Sequence, residues 1–117
     1  MKLAVSGKGG VGKTTLVSLL AHRFSGDGRK VIAIDADPDA NLAQNLGFPA
    51  GVTITPLVEM KDLIRGRVGA EPGMPTVFFS MNPRVDDIPG RFAVSHDGIR
   101  LMVMGTIRRG GSGCACP

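Results

Sequence analysis

An α/β fold with a mainly parallel sheet, flanking helices and a C-terminal β-hairpin is predicted by three features of the 117-residue chain. Leu3-Ala4-Val5 and Val31-Ile32-Ala33-Ile34 are short apolar runs of the kind that form buried strands. Between them, Leu16, Leu19, Leu20 and Phe24 recur at helical spacing. Near the other end, Asp97-Gly98 stands between two apolar runs, which is a hairpin signal. Strand, helix and strand in succession make a βαβ unit, and such units imply parallel pairing with ligands at the carboxyl ends of the strands.

Taken in order, Lys2 to Ser6 reads as the first strand and Thr14 to Ser25 as the first helix, stopped by Gly26 and the polar turn Asp27-Gly28-Arg29. Val31 to Ile34 suits a parallel strand covered on both faces. A helix is expected over Ala40 to Leu46, before Gly47, Pro49 and Gly51 break the chain. Thr55 and Pro56 suit the N-cap and first position of a helix reaching Ile64 or Arg65, with Leu57, Met60 and Ile64 on one side. Residues 66–75 hold several breakers and read as a loop. Thr76 to Met81 is a candidate strand, ended by Asn82-Pro83. Arg91 to Ser95 and Ile99 to Met104 form the hairpin arms, with His96 as a turn residue of no ligand role. So short a chain makes one domain, 1–117, the expectation.

Composition narrows the function classes. A net charge of +4 welcomes an acidic ligand, but the basic residues are scattered and there is no Trp or Tyr to stack on bases, so nucleic-acid binding is disfavoured. No run approaches membrane-spanning length, and glycines interrupt the N-terminal apolar run too early for a signal peptide. The two cysteines, one residue apart, are no secreted disulfide framework, and a cytoplasmic location is expected.

The chemistry concentrates at Gly7-Lys8-Gly9-Gly10-Val11-Gly12-Lys13-Thr14-Thr15, which contains the phosphate-loop pattern at Gly7, Gly12, Lys13 and Thr14. Glycines let successive backbone N–H groups approach an anion, and the helix that follows adds its positive end. Lys13 would then reach the β and γ phosphates of ATP, and the Thr14 hydroxyl would ligate Mg²⁺. Asp35-Ala36-Asp37-Pro38-Asp39-Ala40-Asn41 arrives at the same sheet edge, where its carboxylates repel one another unless solvated or bridged by a cation. Asp39 could alternatively complement the dipole of the helix that follows.

Lys8 makes the loop resemble the deviant Walker A motif of the family that contains nitrogenase iron protein and the MinD and ParA ATPases. The resemblance implies a P-loop NTPase fold, a homodimer with ATP or ADP at its interface, and Lys8 reaching the partner's nucleotide. It also implies that Asp37, an Asp followed by Pro, orients the attacking water. Asp35 and Asn41 are then candidates for the outer shell of the metal and for sensing the nucleotide state. Lys8, Lys13 and Asp37 are the catalytic candidates, and Gly7 to Thr15 with Asp35 and Asn41 the cofactor-binding ones.

The chain ends in Gly110-Gly111-Ser112-Gly113-Cys114-Ala115-Cys116-Pro117. Two adjacent thiols can bind a soft or borderline metal such as Ni²⁺ or Zn²⁺, or remain free. Two ligands do not complete a tetrahedral site, whereas Cys114 and Cys116 from each of two chains would. With Gly7 to Thr15, Asp35 to Asn41 and the hairpin Phe92 to Gly105, this tail resembles the CooC family, ATPases that assist nickel insertion into carbon monoxide dehydrogenase. Cys114 also falls where nitrogenase iron protein carries a cluster-ligating cysteine. The resemblance implies a dimeric metallochaperone with carbon monoxide dehydrogenase as client. Family members continue past the cysteine pair into a Walker B strand and switch II, so the expectation is an incomplete P-loop domain. The alternatives are a MinD- or ParA-like positioning or partitioning ATPase and a non-catalytic nucleotide- or metal-binding fragment.

Overall fold

The computed structural model describes residues 1–69 and 82–106. Among these residues three strands, β1 (Val31–Asp35), β2 (Val94–His96) and β3 (Ile99–Val103), form one sheet in the order β1-β3-β2. β1 runs parallel to β3, with Val31 opposite Ile99 and Asp35 opposite Val103, and β2 runs antiparallel to β3. The sheet is therefore small and mixed, where the sequence reading had it mainly parallel.

Among the described residues, four helices accompany it: α1 (Lys13–Gly26), α2 (Leu42–Asn45), α3 (Lys61–Val68) and α4 (Ile88–Phe92). Ala21 of α1, Ala33 of β1, Leu42 and Leu46, Phe48, and Ile99 and Leu101 of β3 make the core, with Ile99 and Leu101 fully enclosed. Because successive strand residues face opposite ways, β1 gives Ala33 and Asp35 to this covered side and leaves Ile32 and Ile34 exposed. β1 is thus covered on one face, not on two as expected.

Among the described residues, the strand expected at Lys2 to Ser6 finds no pairing partner, and Leu3 is 61% exposed. Apolar content suits a strand but does not create one, since backbone N–H and C=O groups need a partner edge. The expected βαβ unit is correspondingly not seen among the described residues, where β1 pairs in parallel with β3. The packing stripe of α1 also differs from the one read from sequence. Leu16 and Leu19 face outward, while Ser18 and Ala21 are buried and Val17 packs on the core. Small residues allow close approach, and the Ser18 hydroxyl donates to the Asn45 carbonyl at 2.8 Å, tying α1 to α2.

α1 ends at the expected glycine stop, Gly26, and the chain turns away just after it. Gly28, at φ +77°, takes the left-handed position, and the Arg29 and Gly28 N–H groups cap the carbonyls of Phe24 and Ser25. α2 is shorter than expected, starting at Leu42. The helix expected from Thr55 is split. Leu57–Glu59 forms one 3₁₀ turn, and α3 starts at Lys61 and runs to Val68, past the expected end at Arg65. The break follows from Val58, whose N–H donates to the Met104 carbonyl at 3.1 Å and so ties the turn to the end of the sheet. The strand expected at Thr76 to Met81 lies outside the described residues, as does all of the expected loop beyond Gly69.

The hairpin forms as read, with Asp97 and Gly98 both at positive φ in a two-residue turn. Its first arm is shorter because α4 occupies Arg91 and Phe92, and His96 closes β2 as a strand residue, its ring 5.2 Å from that of Phe48. The Ser25 hydroxyl donates to the Asp97 carbonyl at 2.7 Å and fixes the turn to α1.

Arg67 of α3 holds Asp87, just before α4, in a two-pronged ion pair at 2.8 and 2.7 Å, and Arg91 adds a third contact at 3.4 Å. Hydrogen bonding from Arg67 holds the Asp87 carboxyl well below the usual carboxylate range, and the same bond raises the Arg67 guanidinium. The contribution of Asp87 is therefore complete above the unfolded-state value, near ~3.9, and is lost as pH falls towards the depressed folded value. Asp87→Asn should lower the Tm at neutral pH, and the gap to the unmodified chain should close only in strong acid; a gap independent of pH across the acid range would contradict the assignment. A second expectation concerns Gly105, at φ +86°, where an added Cβ would lie 2.6 Å from Pro56 Cβ. Gly105→Ala should cost about 2 kcal/mol or more, read as a drop in the urea midpoint.

Candidate functional site

The first turn of α1 and the loop before it form one wall of a cleft of about 420 Å³. Gly10 and Gly12 take φ values of +82° and +92°, the left-handed conformations that turn the loop into the helix. Nothing lies within 4 Å of where a Cβ would stand on Gly9, Gly10 or Gly12, so this backbone is open to a ligand. Gly12 precedes a helix of 14 residues with no acid in its first turn, and no side chain caps it. Unsatisfied N–H groups and the positive end of the dipole therefore face the cleft, an arrangement suited to phosphate.

Lys13 and Thr14 project from that turn, and both line the cleft with Gly9, Gly10, Gly12 and Thr15. The Lys13 ammonium donates to the Gly7 carbonyl at 2.6 Å, so Gly7 serves as an anchor for the lysine and is not on the wall itself. Lys8 and Val11 are exposed and also lie off the wall.

The opposite wall is built by the turn after β1, which contributes Asp37, Asp39 and Asn41. The two walls meet where the Thr14 hydroxyl donates to Asn41 Oδ1 at 3.4 Å. Asp37 Oδ1 accepts the Asp39 N–H at 3.0 Å, which folds the turn back on itself. Asp39 is a wall residue that lies outside α2, whose first turn holds no acid. Asp35 stands behind this wall, 7% exposed, with one oxygen accepting the Asp37 N–H and the other the Leu42 N–H.

The cleft thus sets a cation and helix N–H groups on one side and carboxylate, amide and hydroxyl oxygens on the other. The first set matches phosphate oxygens, and the second is the hard-oxygen donor set that Mg²⁺ prefers. Among the described residues, no three His, Cys, Asp or Glu side chains come together as a metal site. Cys114 and Cys116 lie outside the described residues. Nor is any helix among the described residues long and apolar enough to cross a membrane. Sequence reasoning did not single out Ser18, because a serine within a helix carries no signal that its hydroxyl will be buried against another helix.

The family model of the CobQ/CobB/MinD/ParA nucleotide binding domain matches residues 2–108. The chain is 54% identical to the carbon monoxide dehydrogenase accessory protein CooC of Rhodospirillum rubrum, over all of this chain and 45% of that protein. It is 46% identical to an uncharacterized ATP-binding protein of Methanocaldococcus jannaschii, again over all of this chain and 45% of that protein. Similarity to the chromosome-partitioning ATPase Soj of Treponema pallidum is 39% and covers 49% of this chain and 22% of that protein. The chain therefore spans less than half the length of these relatives.

If the cleft takes phosphates as its walls suggest, Lys13→Ala should weaken ATP binding about 10- to 100-fold, as loss of a charged hydrogen bond does. Calorimetric titration measures it. Because Lys13 is half-buried and lies outside the core, the far-UV spectrum should stay unchanged. Equal affinities would remove Lys13 from the site.

Proposed function

Because the chain belongs to the CobQ/CobB/MinD/ParA nucleotide-binding family, we propose that it is the nucleotide-binding part of an ATPase that assists maturation of carbon monoxide dehydrogenase. The observation that carries this reading is the cleft itself, in which Lys13 and Thr14 face Asp37 and Asn41. Identity to CooC along the whole chain supports the client enzyme. The similarity to Soj reaches only half of the chain, which favours maturation over partitioning.

In this reading the backbone N–H groups of Gly9 to Gly12 and the start of α1 hold the phosphates of ATP. Lys13 leaves the Gly7 carbonyl to neutralise the β and γ phosphates, and Asp37 orients water in line with the γ-phosphorus. Thr14, with Asp37 and Asp39 opposite, would hold Mg²⁺, whose charge would offset that of the phosphates. The bond from the γ-phosphorus to its bridging oxygen breaks as that from water forms, giving ADP and phosphate. Lys8, exposed at the rim, reaches the nucleotide of a second copy, making the working unit a cytoplasmic homodimer.

Its cargo is a divalent metal, Ni²⁺ or Zn²⁺, held between protomers by Cys114 and Cys116 of each. Hydrolysis changes the dimer geometry and loosens this clamp. Titration of Ni²⁺ and Zn²⁺ into the reduced chain should show one metal per two chains, and Cys114→Ser/Cys116→Ser should abolish it. Equal binding by both proteins would remove the metal assignment while leaving the nucleotide site standing.

A further inference from the structure

Asp35 is an ionisable side chain in the described core, and the reaction described above does not use it. It is 7% exposed and faces the same side of β1 as Ala33, against the core. Burying a carboxylate is costly unless its oxygens are satisfied. Here both are: Oδ1 accepts the Asp37 N–H at 3.1 Å and Oδ2 the Leu42 N–H at 3.0 Å.

Those two donors bracket the wall residues Asp37, Asp39 and Asn41, which face the phosphate loop. A carboxylate offers an acceptor at each of two atoms, whereas an amide at the same position offers one acceptor and one donor. One side chain thus closes the turn at both ends. The backbone of the same residue is anchored independently, its carbonyl accepting the Met104 N–H at 2.8 Å next to β3. The turn is referred in this way to the central strand of the sheet.

We propose that Asp35 is a positioning residue, which presets Asp37 and Asn41 opposite Lys13 and Thr14 through backbone hydrogen bonds and does not coordinate the metal. The proposal rests on the nucleotide-binding reading of the cleft for its functional consequence, though not for the latch itself. A residue of the metal's outer shell would turn an oxygen towards the cleft, but both Asp35 oxygens are taken by N–H donors and the residue is absent from the cleft walls.

The test has a part that needs no variant. In the unmodified chain, the Asp37 and Leu42 amides should exchange with deuterium as slowly as those of β3. Exchange at open-loop rates overturns the proposal, even if the chain binds no nucleotide. Asp35→Asn should then speed exchange at one or both amides about tenfold and leave Mg²⁺-free ADP affinity within about threefold, because the phosphate loop is untouched. The gain in ATP affinity on adding Mg²⁺ should fall about tenfold, and raising Mg²⁺ should not restore it. Restoration by excess Mg²⁺, with exchange unchanged, would mean that Asp35 acts on the metal after all, and the proposal fails. A chain whose amides are protected but which binds no ATP would overturn the nucleotide reading alone.

Discussion

The parallel pairing of β1 with β3 is the constraint on which the nucleotide-facing edge depends. It sets Asp35 beside Val103 at the carboxyl ends of both strands, and from there the Asp35 carbonyl accepts the next available N–H, that of Met104. Met104 in turn accepts the Val58 N–H, and Gly105 packs so closely on Pro56 and Val58 that no side chain fits. Slipping the register by one residue would reverse the faces of β1, putting Ile32 and Ile34 where Ala33 and Asp35 now lie. The turn bearing Asp37 and Asn41 would then lose its anchor.

Against this edge, α1 is aimed by small contacts rather than by a broad apolar stripe. Ser18 bonds α2 through Asn45, Ala21 enters the core, and Ser25 holds the hairpin turn at Asp97. These contacts run along the helix from its second turn to its last. Together they hold its N-terminus, and with it Lys13 and Thr14, against the turn after β1. Hydrophobic burial supplies cohesion through Ile99, Leu101 and Leu46, while the hydrogen bonds select one placement of the helix.

Much of this was legible in the sequence where local chemistry decides the outcome. The phosphate-loop spacing located the cleft, α1 was read within a residue at each end, and Asp97-Gly98 gave the hairpin because few residues tolerate consecutive positive φ. Failures fell where tertiary partners decide. Leu3 and Val5 have strand character, yet no described edge pairs with them. Leu16 and Leu19 have helical periodicity, yet the small residues beside them face the core. Thr55-Pro56 has capping chemistry, but the bond from Val58 to Met104 takes the chain into a 3₁₀ turn first. Asp35 was read with Asn41 as a candidate for the outer shell of the metal and for sensing the nucleotide state; sequence alone does not tell which carboxylates face a ligand and which accept backbone N–H groups.

That division among the acids resolves the repulsion which the sequence posed. Three carboxylates within five residues do not share one environment: Asp35 is buried and satisfied by two N–H donors, while Asp37 and Asp39 face the cleft and are exposed to water. Each backbone donor that Asp35 accepts stabilises its charge locally and so reduces the need for a cation at that point. Only Asp37 and Asp39 are left facing outward, towards the positive end of α1 and the Lys13 ammonium. The facing walls therefore carry opposite charge before any ligand arrives, and a phosphate accompanied by its own divalent cation satisfies both walls at once, whereas a bare phosphate satisfies one and meets repulsion from the other.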